Sequence, residues 1–313
     1  MNALLIETNL PEWMTNEAVK AQLQPLLPDA DLRHAPNLGD RSEIVMLACV
    51  TLPAELVRTL PNLRLVQKLG AGVETIVRHL DLAPQVQVTR LRSDVPADSI
   101  AEYCLAHVLW QQHKMYFHSQ NQAAHKWQRT GPRKTTETTI GILGLGHIGA
   151  RTAKTFAQLG FRVLGWRRTP KSIDRVECRS GPHALQPLLA VCDYVISVLP
   201  STPQTHDLFN RSTFAAMKAG ATVINVGRGD LIVEDNLLAA LDDGHLGRAV
   251  LDVFRKEPLP TDHPFWSHPK ITVTPHVSGW HIGDNALTTI AENYRRLIDG
   301  QPLINLVNRE QGY

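Results

Sequence analysis

Three short segments of this chain each carry one ionisable side chain beside small or rigid residues. The segments are Asn225–Asp230, Leu251–Pro258 and Thr274–Trp280, and they hold Arg228, Glu257 and His276. An arginine can bind a carboxylate through two parallel hydrogen bonds, and a histidine titrates near neutral pH, so it can give or take a proton. A glutamate beside that histidine would raise its pKa and fix its orientation. Together these residue types would suit the reduction of a 2-oxo acid.

Each of these residues alone has a simpler explanation. A loop histidine next to a proline is usually structural, and an arginine between two glycines could bind any phosphate. The combination is more specific, because each segment follows a predicted strand and ligands of open α/β sheets bind at the carboxyl ends of strands. We therefore predict Arg228, Glu257 and His276 as the catalytic residues.

A glycine-rich turn lies upstream of these segments. The stretch Thr138–Gly149 reads TTIGILGLGHIG, and the helix-like sequence ARTAKTFAQLG follows it directly. Strand, glycine turn and helix in that order predict a dinucleotide site, in which phosphates face bare backbone and the N–H groups of the helix. Gly144 would permit the tight turn, Gly146 the approach of the pyrophosphate, and Gly149 close packing of helix and strand. The alternative is an ordinary strand-to-helix turn.

The residues after the next predicted strand indicate which dinucleotide binds. That strand, Phe161–Trp166, is followed by Arg167 and Arg168, and no acidic residue occurs before Asp174. An acidic residue in this place usually binds the ribose 2′-hydroxyl of NAD, and it would repel a 2′-phosphate. Paired guanidinium groups would bind that phosphate through charge-assisted hydrogen bonds. We predict NADP(H) in preference to NAD(H); the alternative is that both arginines belong to a solvated loop.

A second loop of small residues, Gly70–Val73, connects a predicted strand with a predicted helix. Small residues expose backbone N–H groups, which suits a carboxylate or a phosphate. A plain tight turn fits the sequence equally well.

Short apolar runs alternate with helical stretches along most of the chain, which predicts an α/β protein with doubly wound parallel sheets. In the first part the predicted strands are Ala3–Ile6, Ile44–Ala48, Leu63–Leu69 and Val86–Thr89. The second part has six predicted strands, which are Ile140–Gly144, Phe161–Trp166, Tyr194–Leu199, Ala221–Val226, Ala249–Val253 and Ile271–Thr274. The predicted helices include Asn16–Leu27, Pro53–Thr59, Glu74–His79, Asp235–Asp242, Asp284–Asp299 and one long helix over Ser99–Trp127.

Composition narrows the class of protein. A length of 313 residues suggests two domains, and a net charge of +2 is too balanced to indicate nucleic acid or a membrane surface as partner. The N-terminus has no basic region typical of a signal peptide, so we predict a cytoplasmic protein. The cysteines lack metal-ligand spacing, which predicts free buried thiols and no metal site; they are Cys49, Cys104, Cys178 and Cys192.

The motifs together resemble the D-isomer-specific 2-hydroxyacid dehydrogenase family. They are the glycine turn, NVGRGD, LDVFRKEPLP, DHPFW and TPHVSG, and the match extends over most of the chain. Within the family, WRRTPKS, LGAGVETI and VEDNLLAALDDG resemble the glyoxylate/hydroxypyruvate reductase subgroup. The resemblance implies NADPH-dependent reduction of a small 2-oxo acid of the glyoxylate or hydroxypyruvate class. It also implies that Arg228, Glu257 and His276 are the catalytic trio, with His276 as proton donor.

The resemblance further implies the ligand contacts and the architecture. Substrate contacts would come from the backbone at Ala71 and Gly72 and from Arg228 and His276; Trp280, which departs from the family pattern, is predicted as a further substrate contact. Cofactor contacts would come from Gly144, Gly146, His147, Ile148, Gly149, Arg167, Arg168, Leu199, Pro200, Val226, Gly227, Arg228 and Asp252. The family fold has two Rossmann-like domains, here a discontinuous substrate domain of residues 1–100 plus 287–313 and an NAD(P)-binding domain of residues 101–286. Family members are usually homodimers.

Two departures from the subgroup leave the size of the substrate open. Leu47–Val50 replaces a Trp-His-Pro-Pro stretch, and Trp280 stands where a smaller aliphatic residue is usual. Both places could border the substrate side chain, so a bulkier 2-oxo acid is one alternative. A non-catalytic NAD(P)-binding regulator on the same fold is another. L-2-hydroxyacid enzymes and S-adenosylhomocysteine hydrolase-like enzymes lack this order of Arg, Glu and His.

Overall fold

The computed structural model describes residues 2–8, 14–77, 79–80, 82–280 and 286–309. The chain forms two compact units. Unit 1 consists of Met1–Ser93 and Ile282–Tyr313, and unit 2 of Asp94–His281. The units therefore change at residues 93/94 and 281/282, where the sequence places the changes at 100/101 and 286/287. The assignment of substrate to one part and cofactor to the other stays a prediction.

Strands and helices alternate along both units. The strands are β1 (Ala3–Glu7), β2 (Asp31–His34), β3 (Ile44–Cys49), β4 (Leu65–Lys68), β5 (Gln87–Arg90), β6 (Thr139–Leu143), β7 (Arg162–Arg167), β8 (Glu177–Ser180), β9 (Tyr194–Ser197), β10 (Thr222–Asn225), β11 (Arg248–Leu251) and β12 (Ile271–Val273). The α-helices are α1 (Asn16–Leu23), α2 (Ala54–Val57), α3 (Glu74–Val77), α4 (Asp94–Gln112), α5 (Met115–Ala123), α6 (His147–Gln158), α7 (Leu185–Leu189), α8 (Arg211–Ala215), α9 (Glu234–Asp242) and α10 (Ala286–Ile298).

Unit 1 is built on a five-stranded parallel sheet in the order β2-β1-β3-β4-β5. The central strand β3 is buried at all six positions, as expected for a parallel strand that is covered on both faces. One face packs against α1 and α10, and Leu4 and Ile290 belong to that core. The other face packs against α2 and α3, and Leu5 and Ile76 belong to that second core.

Unit 2 is built on a seven-stranded parallel sheet in the order β12-β11-β10-β9-β6-β7-β8. The chain starts in the middle at β6, runs outward through β7 and β8, and returns to build the other half from β9 to β12. The strand order reverses between β6 and β9, and ligands of such sheets bind outside the carboxyl ends of the strands at this point. The predicted α/β fold with two doubly wound parallel sheets is confirmed.

Two edge strands, β2 and β8, are absent from the sequence prediction. Each has only four residues, DLRH and ECRS, of which at most two are apolar. Such segments lack the apolar run from which the other strands are predicted. They pair as strands because a neighbouring strand offers an unpaired edge.

The single long helix predicted over Ser99–Trp127 is wrong. The structure has two helices, α4 and α5, and the chain bends between them at Lys114, whose φ is +52°. Contacts distant in sequence hold the bend, because the Lys114 ammonium donates to Thr130 Oγ1 at 2.8 Å and the Arg133 N–H donates to the Gln112 carbonyl at 3.3 Å. Apolar spacing along one helix cannot reveal such contacts. The start of the last predicted helix, Asp284, lies outside the described residues.

The cysteines are free, as predicted. Cys49, Cys104 and Cys192 are buried, whereas Cys178 is partly exposed, so the prediction of burial is wrong for Cys178. Burial raises the pKa of Cys49 and of Cys192 to about 12, which makes these thiols poor nucleophiles. In the part of the chain that the structure describes, no three Cys, His, Asp or Glu residues form a metal-binding group. The described helices also include none that is long and apolar enough to span a membrane.

Candidate active site

The glycine turn lies between β6 and α6, as predicted. Gly144 has φ +99°, a conformation that favours glycine. A Cβ atom on Gly149 would lie 1.8 Å from the carbonyl oxygen of Gly144, so only glycine allows the helix to pack this closely. A Cβ atom on Gly146, the residue before α6, would meet no described atom within 4 Å. The first turn of α6, with His147 and Ile148, therefore follows an open stretch of backbone that suits phosphates.

The ends of β9 and β10 lie against this turn. A Cβ atom on Gly144 would lie 3.0 Å from the Val198 carbonyl oxygen, and one on Gly227 would lie 2.6 Å from the Leu199 carbonyl oxygen. Leu199 and Val226 are buried, and Pro200 is half-buried. The structure thus brings the predicted cofactor residues of three separate segments to one edge of the sheet.

Arg167 and Arg168 lie beside the same turn. The Gly144 N–H donates to the Trp166 carbonyl at 2.9 Å, so Arg167 follows directly after a residue bonded to the turn. Arg167 is half-buried and Arg168 is exposed. Among the described residues, no carboxylate forms an ion pair with Arg167. The sequence reasoning missed Lys171, whose ammonium donates to the Leu145 carbonyl at 2.9 Å. It could have been found as the third cationic residue that follows Trp166, after Arg167 and Arg168.

The loop that carries Arg228 is fixed by Asn225 and by two glycines. The buried Asn225 side chain donates to the Arg228 carbonyl at 2.8 Å and accepts from the Gly227 N–H at 3.1 Å. A Cβ atom on Gly229 would lie 1.9 Å from the carbonyl carbon of Phe254. Any larger residue would separate the Arg228 loop from the segment that leads to Glu257, which explains the sequence Gly-Arg-Gly.

Glu257 and His276 form a hydrogen-bonded pair. The Nδ1 atom of His276 lies 2.8 Å from Oε2 of Glu257, and the other carboxylate oxygen accepts from the Phe254 N–H at 2.9 Å. Burial pushes the pKa of Glu257 up, but the hydrogen bond and charge of His276, the Phe254 N–H and the charge of Arg228 outweigh it and lower that pKa. An ionised Glu257 holds the proton on Nδ1, so Nε2 is the atom of the ring that can exchange a proton with a ligand. The structure therefore brings the predicted trio together.

Asp252 positions the His276 loop. Its carboxylate is fully buried and accepts from Thr274 Oγ1 at 2.6 Å and from the N–H groups of Val277 and Ser278, each at 2.9 Å. These bonds surround His276, whose φ of +56° is unfavourable for a residue with a Cβ atom. The observed function of the carboxylate is to hold this strained loop, and its predicted contact with the cofactor stays a prediction.

Helix α4 supports the same loop, which the sequence reasoning missed. The Tyr103 hydroxyl lies 2.7 Å from Thr274 Oγ1, and the Ser99 hydroxyl donates to the Ser278 carbonyl at 2.8 Å. A Cβ atom on Gly279 would lie 3.0 Å from Ile100 Cδ1. The only signal in the sequence was a pair of polar residues on the face of a helix that was assigned to core packing.

Replacing Asp252 by asparagine should loosen the His276 loop. The amide nitrogen of asparagine would face a backbone N–H group that now donates to the carboxylate. At least one of the buried N–H groups of Val277 and Ser278 would then lose its hydrogen-bond acceptor. We expect the free energy of unfolding to fall by about 2–3 kcal/mol and kcat to fall with it. Urea unfolding and steady-state kinetics measure both. Asp243→Asn is the matched control, because Asp243 accepts a backbone N–H at an exposed site; an equal loss there would contradict the prediction.

The Glu257–His276 pair should make stability depend on pH in one direction. Because the pKa of Glu257 is lowered from 4.5, the stability that its charge contributes is present above that value and is lost as the pH falls through the lowered one. Glu257→Gln should therefore be less stable than the wild type at pH 5–8, and the difference in Tm should vanish in more acidic buffer. A difference that stays constant down to the acid limit would contradict this interpretation.

The predicted substrate residues outside the trio have different environments. In unit 1, Gly70–Val73 connects β4 with α3, Ala71 is exposed and Gly72 is half-buried. In unit 2, Trp280 is 42% exposed. That the stretch Leu47–Val50 borders the substrate stays a prediction; Leu47, Ala48 and Cys49 are fully buried in β3, and Val50, just after that strand, is 8% exposed. The continuous burial of a central strand explains their apolar character.

Fold and site together define a nucleotide-dependent oxidoreductase, and the comparison with known proteins makes the class specific. The family model described as "D-isomer specific 2-hydroxyacid dehydrogenase, NAD binding domain" matches residues 105–278. The chain belongs to the D-isomer-specific 2-hydroxyacid dehydrogenase family.

Three individual relatives match this chain over most of its length. Glyoxylate/hydroxypyruvate reductase A of Photorhabdus laumondii is 36% identical over 296 residues, which cover 93% of this chain and 94% of the relative. A D-isomer specific 2-hydroxyacid dehydrogenase from Xanthobacter autotrophicus Py2, crystallised with NADPH and MES, is 37% identical, with a TM-score of 0.93 over 100% of this chain and 99% of that chain. An NADPH-dependent glyoxylate/hydroxypyruvate reductase from Sinorhizobium meliloti, in complex with NADP and sulfate, is 28% identical, with a TM-score of 0.91 over 100% of both chains.

Proposed function

We propose that this protein reduces a small 2-oxo acid of the glyoxylate or hydroxypyruvate class to the 2-hydroxy acid with NADPH. The observation that carries the proposal is the Glu257–His276 pair, with Nδ1 bound to the carboxylate and Arg228 close enough to lower the pKa of Glu257. The names of the Photorhabdus and Sinorhizobium relatives support this substrate class. A bulkier 2-oxo acid is the alternative that the exposed Trp280 leaves open.

The residues divide the chemistry among them. The guanidinium of Arg228 binds the substrate carboxylate. The backbone N–H groups at Ala71 and Gly72 remain predicted donors to a carboxylate. His276 protonates the carbonyl oxygen through Nε2 as negative charge develops there. Glu257 orients the ring through its hydrogen bond to Nδ1. Asp252, Thr274 and the α4 hydroxyls keep the ring in place.

The cofactor site fits NADP(H). When bound, the dihydronicotinamide supplies the hydride. Two solved relatives hold NADPH or NADP, and this chain has Arg167 and Arg168 next to the glycine turn. We propose that both arginines bind the 2′-phosphate and that the exposed backbone of Gly146 and α6 binds the pyrophosphate. The remaining predicted cofactor residues are proposed to line the same site.

Replacing Arg167 and Arg168 together by alanine should change the cofactor preference. Charge-assisted hydrogen bonds contribute roughly 1.5–3 kcal/mol each, so we expect KM for NADPH to rise by at least about tenfold. KM for NADH should change little, because NADH has no 2′-phosphate. Steady-state kinetics with both cofactors measure this, and an equal rise for both would refute the role of the arginines. Arg162→Ala, at an exposed position on the same strand, is the control.

A panel of 2-oxo acids tests the function itself. Glyoxylate, hydroxypyruvate, pyruvate and a branched 2-oxo acid are each mixed with protein and NADPH or NADH, and nicotinamide absorbance is followed. We expect turnover with NADPH and the smallest acids. Tight NADPH binding without turnover of any acid would instead indicate the non-catalytic regulator.

The homodimer and the cytoplasmic location are also proposals. The family resemblance supports the homodimer. Unit 2 also exposes apolar side chains that a contact between two subunits would cover. Trp127 is 90% exposed, Trp110 is 47% exposed and Met115 is 41% exposed.

A further inference from the structure

Arg255 joins the two segments of unit 2 that carry Arg228 and Glu257. It lies between the end of β11 and Glu257. Its Nε atom donates to the Ile232 carbonyl at 2.7 Å, and its Nη2 atom donates to the Asp230 carbonyl at 3.4 Å. Both carbonyls belong to the segment that follows Arg228 in the chain. The guanidinium therefore links the segment after β10 with the segment after β11.

The same guanidinium has a carboxylate partner on a third segment. Its Nη2 atom donates to Oδ1 of Asp207, which lies in the segment after β9. The φ of Asp207 is +55°, a conformation that is uncommon for residues other than glycine and persists where contacts fix it. The Asp207 N–H donates to the Asp230 carbonyl at 3.0 Å. Arg255 thus contacts the segments that follow two neighbouring strands, β9 and β10.

The turn from which the guanidinium projects is closed by Glu257. One carboxylate oxygen of Glu257 accepts from the Phe254 N–H at 2.9 Å, and the other lies 2.8 Å from Nδ1 of His276. A Cβ atom on Gly229 would lie 1.9 Å from the carbonyl carbon of Phe254, so this turn also packs directly against the Arg228 segment. Any shift of the turn relative to that segment would move the Glu257–His276 pair relative to Arg228.

We propose that Arg255 is a positioning residue for the reduction, whose contacts with the two neighbouring segments set the distance between Arg228 and His276. The inference rests on the proposed function, in which Arg228 binds the substrate carboxylate and His276 protonates the carbonyl oxygen. These two groups of a 2-oxo acid are on adjacent carbon atoms, so the separation of their partners in the protein is narrowly limited. A misplacement of about 1 Å can lower a rate by about 100-fold.

Stability alone is a poor explanation of these contacts. The side chains of Arg255 and Asp207 are 32% and 44% exposed, and ion pairs with such exposure contribute little to the free energy of unfolding. The planar guanidinium nevertheless reaches acceptors on two segments at once, which a single ammonium group cannot reproduce. The adjacent Lys256 is exposed and forms no hydrogen bond or ion pair among the described residues. It therefore provides a matched control.

The first test compares Arg255→Met with Lys256→Met. In Arg255→Met we expect kcat for the 2-oxo acid to fall by about 10- to 100-fold, because the substrate carbonyl would no longer be aligned with His276. KM should stay within about threefold, since the Arg228 side chain is retained and can still bind the carboxylate. In Lys256→Met, kcat should stay within about twofold of the wild type.

Two further measurements separate positioning from folding. Urea unfolding and the Kd for NADPH should be nearly unchanged in Arg255→Met, because the ion pair is partly exposed and the glycine turn is not altered. A purely structural role predicts the opposite result, a lower free energy of unfolding with unchanged kcat in the folded enzyme. That result, or an equal loss of kcat in Lys256→Met, would overturn the inference.

Variants that change less of the side chain give the second test. Arg255→Lys keeps a positive charge for Asp207 but loses the planar donors, so its kcat should lie between those of the wild type and Arg255→Met. Asp207→Asn removes the charge and keeps a residue that tolerates positive φ, and its kcat should also fall. The double variant Arg255→Met/Asp207→Asn should match Arg255→Met within about twofold, because the contact is already lost. Losses that multiply would overturn the link.

The outcomes distinguish this inference from the proposed function. If Arg255→Met does not fold, Arg255→Lys and Asp207→Asn decide the question through the same measurement of kcat, and unchanged values in both would refute the positioning. Turnover by the wild type with unchanged kcat in the folded variants refutes this inference alone. No turnover of any 2-oxo acid by the wild type refutes the proposed function as well.

Discussion

Replacing His276 by alanine should lower kcat by about 10²–10⁴-fold, the usual contribution of a positioned general acid. The reason lies in the geometry of the ring. Glu257 holds Nδ1 at 2.8 Å, so Nε2 is the group that would protonate the carbonyl oxygen. NADPH should still bind with unchanged Kd, because the glycine turn and Arg167 do not depend on the ring. Steady-state kinetics and fluorescence titration with NADPH separate the two effects.

A histidine outside the site provides the matched control. His268 lies 3.2 Å from a carboxylate oxygen of Asp242 in the same unit, so His268→Ala also breaks a histidine–carboxylate contact. We expect its kcat to stay within about twofold of the wild type, since His268 lies outside the residues placed at the site. Its side chain is only 11% exposed, so the substitution should instead lower the free energy of unfolding, which urea unfolding measures separately. Retained turnover in His276→Ala, or equal losses in both variants, would refute the role of His276 as proton donor.

Replacing Arg228 by glutamine should lower kcat/KM for the 2-oxo acid by about 10²–10³-fold. A guanidinium binds a carboxylate through two charge-assisted hydrogen bonds, each worth roughly 1.5–3 kcal/mol. Because Arg228 would also stabilise charge on the reacting oxygen, both KM and kcat should change. Arg228→Lys keeps the positive charge but loses the planar guanidinium that can form two parallel hydrogen bonds. Its kcat/KM should therefore lie between those of the wild type and Arg228→Gln.

A substitution that removes a distant positive charge is the control for long-range electrostatic effects on substrate binding. Arg211 is exposed at the start of α8, and Arg211→Gln changes the net charge by the same amount. We expect its kcat/KM to match the wild type at physiological salt, since exposed charges are screened beyond about 8 Å. A loss equal to that of Arg228→Gln would indicate long-range electrostatics, and an unchanged KM in Arg228→Gln would remove Arg228 from the substrate site.

The glycine turn shows how much local sequence can determine. Each of the three glycines has the geometry that the spacing predicts. Gly144 has a positive φ, the backbone at Gly146 is open, and Gly149 allows the helix to pack closely against the turn. Such features depend on only a few neighbouring residues, because steric limits on φ and on Cβ atoms act locally. For the same reason the strand ends that carry Arg228, Glu257 and His276 could be predicted one by one.

The support for these residues could not be predicted in the same way. Asp252 is 22 residues from Thr274, and Tyr103 is 171 residues from it, yet the three side chains form one hydrogen-bonded chain. Helix periodicity indicates which face of α4 is apolar, but it does not indicate which loop that face contacts. The break at Lys114 and the edge strands β2 and β8 also depend on partners distant in sequence.

The sequence by itself determined the parallel α/β architecture, the glycine turn, the two arginines at the end of β7 and the identity of the three ionisable residues. These follow from periodicity, backbone sterics and residue chemistry, which act within a few positions of the chain. Only the tertiary structure decided that Nδ1 of His276 faces Glu257, that the Asp252 carboxylate accepts hydrogen bonds from the His276 loop, and that Arg90 contacts Ala71. Those facts depend on the register of neighbouring strands, which brings together residues that the sequence separates.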